Sequence, residues 1–231
     1  MVSEFTKTEI ATQVDAWKES IEVLEANQQP ILDLWNSNKF TDVVFTGCGS
    51  THYLSLSAAN MFQSAPGVPA RGVPASEILF HPEAVFAKEN QTLLVTISRS
   101  ATTTETVEAS KLFRAKYGEH VVVISCYDDK PLNDYAAINL ATKSGQEKSV
   151  AQTRSFSAMS VLAEGFAKIV GGQGIDNQAF TGDSNDLIAD AKNQSKPFTD
   201  PSQYEQYFYL GSGALYGIAT EAMLKMKEMS L

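Results

Sequence analysis

Three short apolar runs, each followed by a polar loop and a helical pattern, constrain the fold of this chain more than any other feature. They lie at residues 43–46, 93–97 and 121–124 and are rich in valine, leucine and isoleucine. Continuous apolar runs of this length are typical of strands buried on both faces of a parallel sheet. Strands that alternate with helices pair in parallel through right-handed crossovers. The sequence therefore predicts an α/β fold, with a doubly wound parallel sheet between two layers of helices.

Weaker patterns extend this prediction on both sides of the three runs. Residues 137–140 and residues 70–73 are candidates for two further strands, and a long helix is expected at about 150–170. Near the start of the chain, Thr6-Lys7-Thr8-Glu9 is a capping-box pattern that precedes a helical periodicity. A second helix is expected to begin after Pro30.

These patterns divide the chain into four parts. Residues 1–39 are predicted to be an N-terminal helical segment, residues 40–172 a complete α/β domain, and residues 173–203 a polar linker with one helix near Leu187. In residues 204–231 the pattern begins again, with a strand expected at 207–210 and a helix from about Leu215. One strand and one helix cannot bury their own apolar faces. We therefore expect this last part to be the incomplete start of a second, similar domain.

The charge and composition of the chain limit its partners. Its 231 residues carry a formal net charge of −9, so no basic stripe is available to bind nucleic acid. No apolar stretch approaches the roughly 18 residues of a membrane span, and the first residues lack the pattern of a signal peptide. The two cysteines and three histidines have no metal-ligand spacing. We expect a cytoplasmic protein without a metal site.

The segment that follows the second apolar run is unusually rich in hydroxyl side chains. It reads Ser98-Arg99-Ser100-Ala101-Thr102-Thr103-Thr104, and a helix is expected to start within it. A phosphate is bound well by several hydrogen-bond donors at the positive end of a helix. The alternative is that one threonine caps the helix while the other side chains are solvated, and Arg99 faces either the phosphate or the solvent. A cap needs only one such residue, so the segment predicts an anion site.

A second loop, Gly47-Cys48-Gly49-Ser50-Thr51, follows the first apolar run. It is not a P-loop, because no Gly-Lys-Ser/Thr follows, and it lacks the third glycine and the distant acidic residue of a dinucleotide fingerprint. Its glycines would let the backbone approach a ligand while Ser50 and Thr51 donate hydrogen bonds. A third loop, at residues 147–157, also precedes a helix and is a further candidate for ligand binding. The alternative is an ordinary capped helix start with Arg154 solvated.

Together these loops resemble the sugar isomerase (SIS) family, in particular its branch of ketose/aldose phosphate isomerases and amino-sugar-phosphate deaminases, the tagatose-6-phosphate isomerase-like proteins. The first two loops and Ser149-Val150-Ala151-Gln152-Thr153-Arg154-Ser155-Phe156 match the three loops of the family's first domain, in order. The tail Gly211-Ser212-Gly213 and Glu221-Ala222-Met223-Leu224-Lys225-Met226-Lys227-Glu228 resembles the opening of its second domain. The resemblance implies two flavodoxin-like, three-layer domains that act on a sugar phosphate without an organic cofactor.

The resemblance also implies roles for individual residues. The family's phosphate contacts correspond to Ser50, Thr51, Ser98, Arg99, Ser100 and Thr103. Further substrate contacts are expected at Gly49, Val150, Ala151 and Gln152. The family's proton-shuttling glutamate corresponds to Glu228, with Lys225 beside it, whereas without the resemblance the two would read as an ordinary exposed pair. Ala101 departs from the family, because a glycine is usual there, and it would be strained if that position needs a positive φ.

The implied activity is aldose–ketose isomerisation of a hexose or hexosamine 6-phosphate through an enediol or enamine, with release of ammonia from an amino sugar. A homodimer or a higher homo-oligomer is expected. The 231-residue chain itself should bind sugar phosphate weakly and turn over little or nothing, since it should lack the rest of the second domain and family sites often take residues from a neighbouring subunit. The family's ring-opening histidine would lie beyond Leu231. The alternative is a non-catalytic sugar-phosphate-binding regulatory module, for which Glu228 would not be needed. A nucleotide-binding domain is disfavoured by the missing glycine and acid.

Overall fold

The computed structural model describes residues 4–87, 91–175, 184–196 and 203–230. The strands are β1 (Asp42–Gly47), β2 (Ala70–Pro74), β3 (Thr92–Ser98), β4 (Val121–Ser125) and β5 (Ile138–Ala141). The helices are α1 (Glu4–Ala11), α2 (Gln13–Ser37), α3 (Ser50–Ser64), α4 (Ala75–Phe80), α5 (Pro82–Val85), α6 (Thr104–Lys116), α7 (Arg154–Val170), α8 (Ser184–Ser195) and α9 (Ala214–Ser230). Two short 3-10 helices lie at Pro131–Tyr135 and Lys143–Gly145.

The five strands form one parallel sheet in the order β2-β1-β3-β4-β5. The chain runs from β1 outward to β2 and then returns to the other side of β1 to form β3. Loops that leave neighbouring strands on opposite sides of a sheet open a crevice at the carboxyl ends of those strands, where ligands bind in doubly wound folds. The prediction of a doubly wound parallel sheet is confirmed, and its crevice lies between β1 and β3.

The sheet is covered on both faces, because consecutive strand residues point to opposite sides. On one face, Phe45 packs with Phe62 of α3 and Phe166 of α7 in an apolar cluster. On the other face, Val44 belongs to a second cluster that includes Phe113 of α6. Helix α2 packs against α7 on the first face. The predicted three-layer arrangement is therefore confirmed.

Two predictions about the N-terminal segment are wrong. A single helix, α2, runs through Pro30, because Leu24 and Ile31 on either side of the proline are both buried in the same cluster, and this packing outweighs one lost backbone hydrogen bond. Thr6 and Glu9 do not form a capping box. They lie within α1, and their side chains bond instead to residues of the third loop.

Other boundaries shift for physical reasons. The expected strand at 207–210 does not form, since no described strand lies beside it to accept its backbone hydrogen bonds. Helix α7 begins at Arg154 rather than at Val150, because the preceding residues form an irregular loop. The linker helix near Leu187 is confirmed as α8, and the helix expected from Leu215 is confirmed as α9.

Candidate functional site

The loop after β1 is a tight turn built around Thr51. The hydroxyl of Thr51 bonds to both the backbone N–H and the carbonyl of Cys48, at 3.0 Å each. Gly47 lets Thr51 come this close to the turn, because a Cβ atom at position 47 would clash with Thr51 Oγ1 at 2.6 Å. Gly49 adopts a φ of 56°, which favours glycine. Thr51 is thus committed to shaping the turn, whereas the neighbouring Ser50 is the hydroxyl that reaches another element.

The loop after β3 lies beside this turn at the crevice. Ser98 donates to Thr103 Oγ1 at 3.3 Å, which closes the loop across its base. Ser100 accepts from the backbone N–H of Thr102 at 3.3 Å and from the Thr102 hydroxyl at 2.9 Å. Because the Ser100 hydroxyl donates no hydrogen bond to any described residue, its proton is available to a ligand. The start of α6 at Thr104 adds unpaired backbone N–H groups at the same place.

Ala101 adopts the left-handed conformation that its position in this loop requires. Its φ is 52°, and its methyl group is fully buried. The loop keeps its shape because the Ala101 N–H donates to Ser98 O at 3.3 Å and its carbonyl accepts from Leu132 N–H at 3.0 Å. A non-glycine residue in this region costs about 1–2 kcal/mol. The condition on which strain at Ala101 was expected, a positive φ, is therefore met.

Arg99 points away from its own loop and towards the third one. Its Nη1 donates to the backbone carbonyls of Ser149 and Val150, both at 3.1 Å, and lies 3.5 Å from the Glu147 carboxylate. The predicted phosphate contact at Arg99 is thus occupied by other groups in this structure. Arg99 brings the third loop next to the loop after β3, with Val150 exposed and Ala151 and Gln152 partly buried.

The C-terminal helix α9 brings the two predicted catalytic residues to the same crevice. Lys225 Nζ donates to Ser50 Oγ at 3.1 Å and also to the carboxylate of Glu228. Glu228 is exposed at the end of this contact, as a proton-transfer group that must reach a ligand would be. Helix α9 can approach because Gly217 faces α3, where a Cβ atom would lie 2.8 Å from the backbone nitrogen of Ser57.

Glu221 is a residue of this site to which the sequence patterns assigned no role. The residue is only 5% exposed, and its Oε1 lies 3.1 Å from Lys225 Nζ. Neither of its oxygens accepts a well-aligned hydrogen bond from the described residues. Burial raises the pKa of Glu221 above its ordinary value, although the Lys225 ammonium opposes that shift. Lys225 Nζ therefore contacts three groups, the buried carboxyl of Glu221, the Ser50 hydroxyl and the Glu228 carboxylate.

A separate open pocket of about 590 Å³ lies between α1 and the third loop. It is lined by Phe5, Thr8, Glu9, Tyr127, Gln146, Glu147, Lys148 and Arg154. Three of these residues, Glu147, Lys148 and Arg154, belong to the third loop, but none lies in the loops that follow β1 and β3. In the described ranges, no cluster of three or more potential metal ligands occurs, and no helix is long and apolar enough to cross a bilayer.

Comparisons with known proteins agree with this architecture. A family model described as the SIS domain matches residues 37–168. The glutamine–fructose-6-phosphate aminotransferase (isomerizing) of Pyrococcus horikoshii is 29% identical over 204 residues, which cover 83% of this chain and 33% of that protein. The same-named protein of Helicobacter pylori is 26% identical over 207 residues, which cover 82% of this chain and 33% of that protein. The chain thus spans about a third of the length of these curated relatives.

Two solved structures share the fold. The crystal structure of tagatose-6-phosphate ketose/aldose isomerase from Escherichia coli superposes with a TM-score of 0.82 at 22% identity, over 98% of this chain and 64% of that one. The C-terminal domain of glucosamine-fructose-6-phosphate aminotransferase from Francisella tularensis gives a TM-score of 0.79 at 22% identity, over 99% of this chain and 68% of that one. With the family model matching more than half of its residues, this chain belongs to the SIS domain family.

Proposed function

We propose that this chain binds a hexose or hexosamine 6-phosphate in the crevice between β1 and β3 and contributes to its aldose–ketose isomerisation or to a related reaction at the amine-bearing carbon. The observation that carries the proposal is the contact of Lys225 with Ser50. This contact connects α9, which carries the predicted proton-shuttling residue Glu228, to the loop after β1, which carries predicted phosphate contacts. The relatives' names, which include fructose 6-phosphate and tagatose 6-phosphate, support this substrate class.

The phosphate would be held mainly by neutral donors. Ser50, Ser100 and the N–H groups at the start of α6 offer hydrogen bonds without adding much positive charge. A dianion is stabilised by such groups at a helix N-terminus even in a protein with a net charge of −9. Lys225 adds one cation at the edge of this set, where it could neutralise charge on the sugar or on the phosphate.

The proposed chemistry is a proton transfer between neighbouring carbons of the open-chain sugar. In the aldose-to-ketose direction, the Glu228 carboxylate removes the proton from C2, and the C–H electrons form the enediol as the aldehyde oxygen is protonated. The same carboxyl then returns the proton to C1 while the C2 hydroxyl gives up its proton to solvent and becomes the C2 carbonyl, which gives the ketose. With an amino sugar, proton transfer gives an imine, which water hydrolyses to the ketose and ammonia. The curated relatives are named glutamine–fructose-6-phosphate aminotransferases, and this name also combines an amino group with a ketose phosphate.

Binding is tested by calorimetry on the 231-residue chain with fructose 6-phosphate, fructose and inorganic phosphate. We expect fructose 6-phosphate to bind more tightly than either part alone. Ser100→Ala should weaken it by about 1–3 kcal/mol, the cost of losing a hydrogen bond to a charged group. Ser64→Ala is the matched control, because Ser64 is an exposed serine at the far end of α3 that bonds only locally. Unchanged affinity in Ser100→Ala would remove Ser100 from the site.

The proton transfer is tested separately by NMR. Deuterium from solvent should enter C1 of fructose 6-phosphate during long incubation with the chain, and Glu228→Gln should reduce this exchange to the buffer rate while binding persists. Lys227→Gln, an exposed neighbour on the same helix, serves as the control. Binding without exchange above the buffer rate would favour the non-catalytic sugar-phosphate-binding module over the enzyme.

A further inference from the structure

Arg99 lies inside the predicted phosphate loop, yet the hydrogen bonds of its side chain go to another loop. Its Nη1 donates to two consecutive backbone carbonyls, those of Ser149 and Val150. A guanidinium presents several donors in a fixed plane, which suits it to hold a backbone segment in one conformation. Arg99 is only partly exposed, so its stem is packed rather than free to swing in solvent.

Glu147 is the second residue that holds the third loop in place. Its carboxylate is fully buried and lies 3.5 Å from Arg99 Nη1. It accepts hydrogen bonds from the Thr153 N–H at 2.8 Å, from the Thr153 hydroxyl at 2.7 Å and from the Ser155 hydroxyl. A buried carboxylate is tolerated only when it is paired and hydrogen-bonded, so these partners are mutually dependent. Glu147 thereby fixes both the start of α7 and the position of Arg99.

The segment between these anchors is also held from the N-terminal side. Glu9 of α1, which is 4% exposed, accepts hydrogen bonds from the backbone N–H groups of Lys148 at 2.7 Å and Ser149 at 3.3 Å. Residues 147–149 are therefore fixed from two directions, and Arg99 also fixes the carbonyl of Val150. The Val150 side chain itself is 91% exposed. The Gln152 Oε1 atom is buried and accepts no hydrogen bond from the described residues.

From this network we infer that Arg99 is a positioning residue: together with Glu147 it sets the backbone of residues 149–152 for contact with the sugar, and it does not bind the phosphate. This inference rests on the proposed function and deepens it, because it divides the site into a phosphate half and a sugar half. Ser100 and the start of α6 belong to the phosphate half. Residues 149–152, held by Arg99, belong to the sugar half.

The division is tested by measuring two ligands, fructose 6-phosphate and inorganic phosphate, on each variant by calorimetry. Arg99→Met should weaken fructose 6-phosphate by about tenfold, which corresponds to about one lost hydrogen bond, and leave inorganic phosphate within about twofold of the wild type. Ser100→Ala should weaken both ligands. Arg99→Lys, which keeps one cationic donor near the two carbonyls, should recover part of the fructose 6-phosphate affinity. A merely structural role for Arg99 would not separate the two ligands.

Two further variants keep the result interpretable. Arg114→Met is the matched control, because Arg114 is an exposed arginine that also donates to a backbone carbonyl, far from the three loops. Since Arg99→Met leaves Glu147 without its cation, the double variant Arg99→Met/Glu147→Gln removes both charges together, and it should show the same separation of the two ligands.

The outcomes are distinct. Equal weakening of both ligands by Arg99→Met would mean that Arg99 binds the phosphate, and no weakening of either would mean that it does not position the third loop. Each result overturns the inference while leaving the proposed function in place. Failure of the wild-type chain to bind either ligand would instead overturn the proposed function itself.

Discussion

Lys225 Nζ lies 3.1 Å from Ser50 Oγ, although 175 positions separate the two residues in the chain. Ser50 begins the helix that follows strand β1, whereas Lys225 lies near the end of α9. A contact over this sequence distance depends on the whole fold between the two residues. It also depends on how closely α9 packs against α3. Substitutions between these two helices therefore test the contact directly.

Gly217→Ala should separate α9 from α3. A Cβ atom at position 217 would lie 2.8 Å from the Ser57 backbone nitrogen and closer still to the carbonyl oxygen of Tyr53, and backbone atoms cannot move aside easily. We expect a loss of about 1–3 kcal/mol in unfolding free energy, typical of overpacking, although alanine is the better helix former. Urea denaturation measures the loss, and amide hydrogen exchange should show faster exchange in residues 214–230.

Gly174→Ala is the control for this experiment, because a Cβ atom there would meet nothing within 4 Å. It should change the unfolding free energy by no more than about 0.5 kcal/mol. Equal stability of Gly217→Ala and Gly174→Ala would contradict the close approach of the two helices.

Ala101→Val should destabilise the protein by roughly 2–3 kcal/mol. The position has a φ of 52° and no exposed surface, so a β-branched side chain would be both conformationally strained and too large. Ala101→Gly should instead stay within about 1 kcal/mol of the wild type, because relief of the left-handed strain offsets the loss of a buried methyl group. The measurement is urea denaturation of both variants. A valine variant as stable as the glycine variant would show that the loop does not hold this conformation in solution.

The pH dependence of stability should change in Glu221→Gln. Burial raises the pKa of Glu221 in the folded protein, so the folded state holds a proton that the unfolded state releases above the ordinary value of 4.5. Stability contributed by this group is therefore present below pH 4.5 and is lost as the pH rises through the folded pKa. Relative to the wild type, Glu221→Gln should gain unfolding free energy as the pH rises through that window. Denaturation curves at several pH values test this, and parallel pH profiles for the two proteins would contradict it.

Both cysteines should react slowly with iodoacetamide in the folded protein. Burial raises the pKa of Cys48 to about 11 from an ordinary 9.0, and Cys126 is fully buried with its pKa also raised. At pH 8 a shift of this size lowers the thiolate fraction of Cys48 by about a hundredfold, and the thiolate is the reactive form. Mass spectrometry should show rapid modification only in guanidinium chloride. Rapid alkylation of native Cys48 would indicate that the loop after β1 opens.

The central strands could be predicted from sequence because their signal is local. In β1, β3 and β4 the described side chains are buried throughout, so apolar runs coincide with the strands. The edge strand β2 is half-buried and contains Arg71 and Gly72, which weakens its pattern. The prediction of a new helix after Pro30 failed for a different reason. The effect of a proline on a helix is local, whereas the packing that keeps α2 continuous at Pro30 comes from α7, far along the chain.

The candidate site could be predicted only in outline. Hydroxyl-rich loops after strands indicate where an anion could bind, but they do not say which side chains face it. Thr51 bonds to the backbone of its own turn, and Arg99 bonds to the third loop. Glu147 and Glu221 take their importance from burial, and Glu147 also from its distant partner Arg99, and neither feature is visible in the sequence near these residues. Those features arise only when the chain is folded.

The absence of a side chain at Gly217 has a consequence for how a sugar would be received. Because α9 approaches the Tyr53 carbonyl and the Ser57 side chain of α3 this closely, and the Ser57 hydroxyl also donates to the Ala214 carbonyl, we expect the helix that carries Glu228 to have little freedom to tilt or slide. The two walls of the crevice are then aligned before any ligand arrives, and association should involve little reorganisation and little loss of backbone entropy. The crevice would then bind a sugar phosphate as a preformed site, without closing around it.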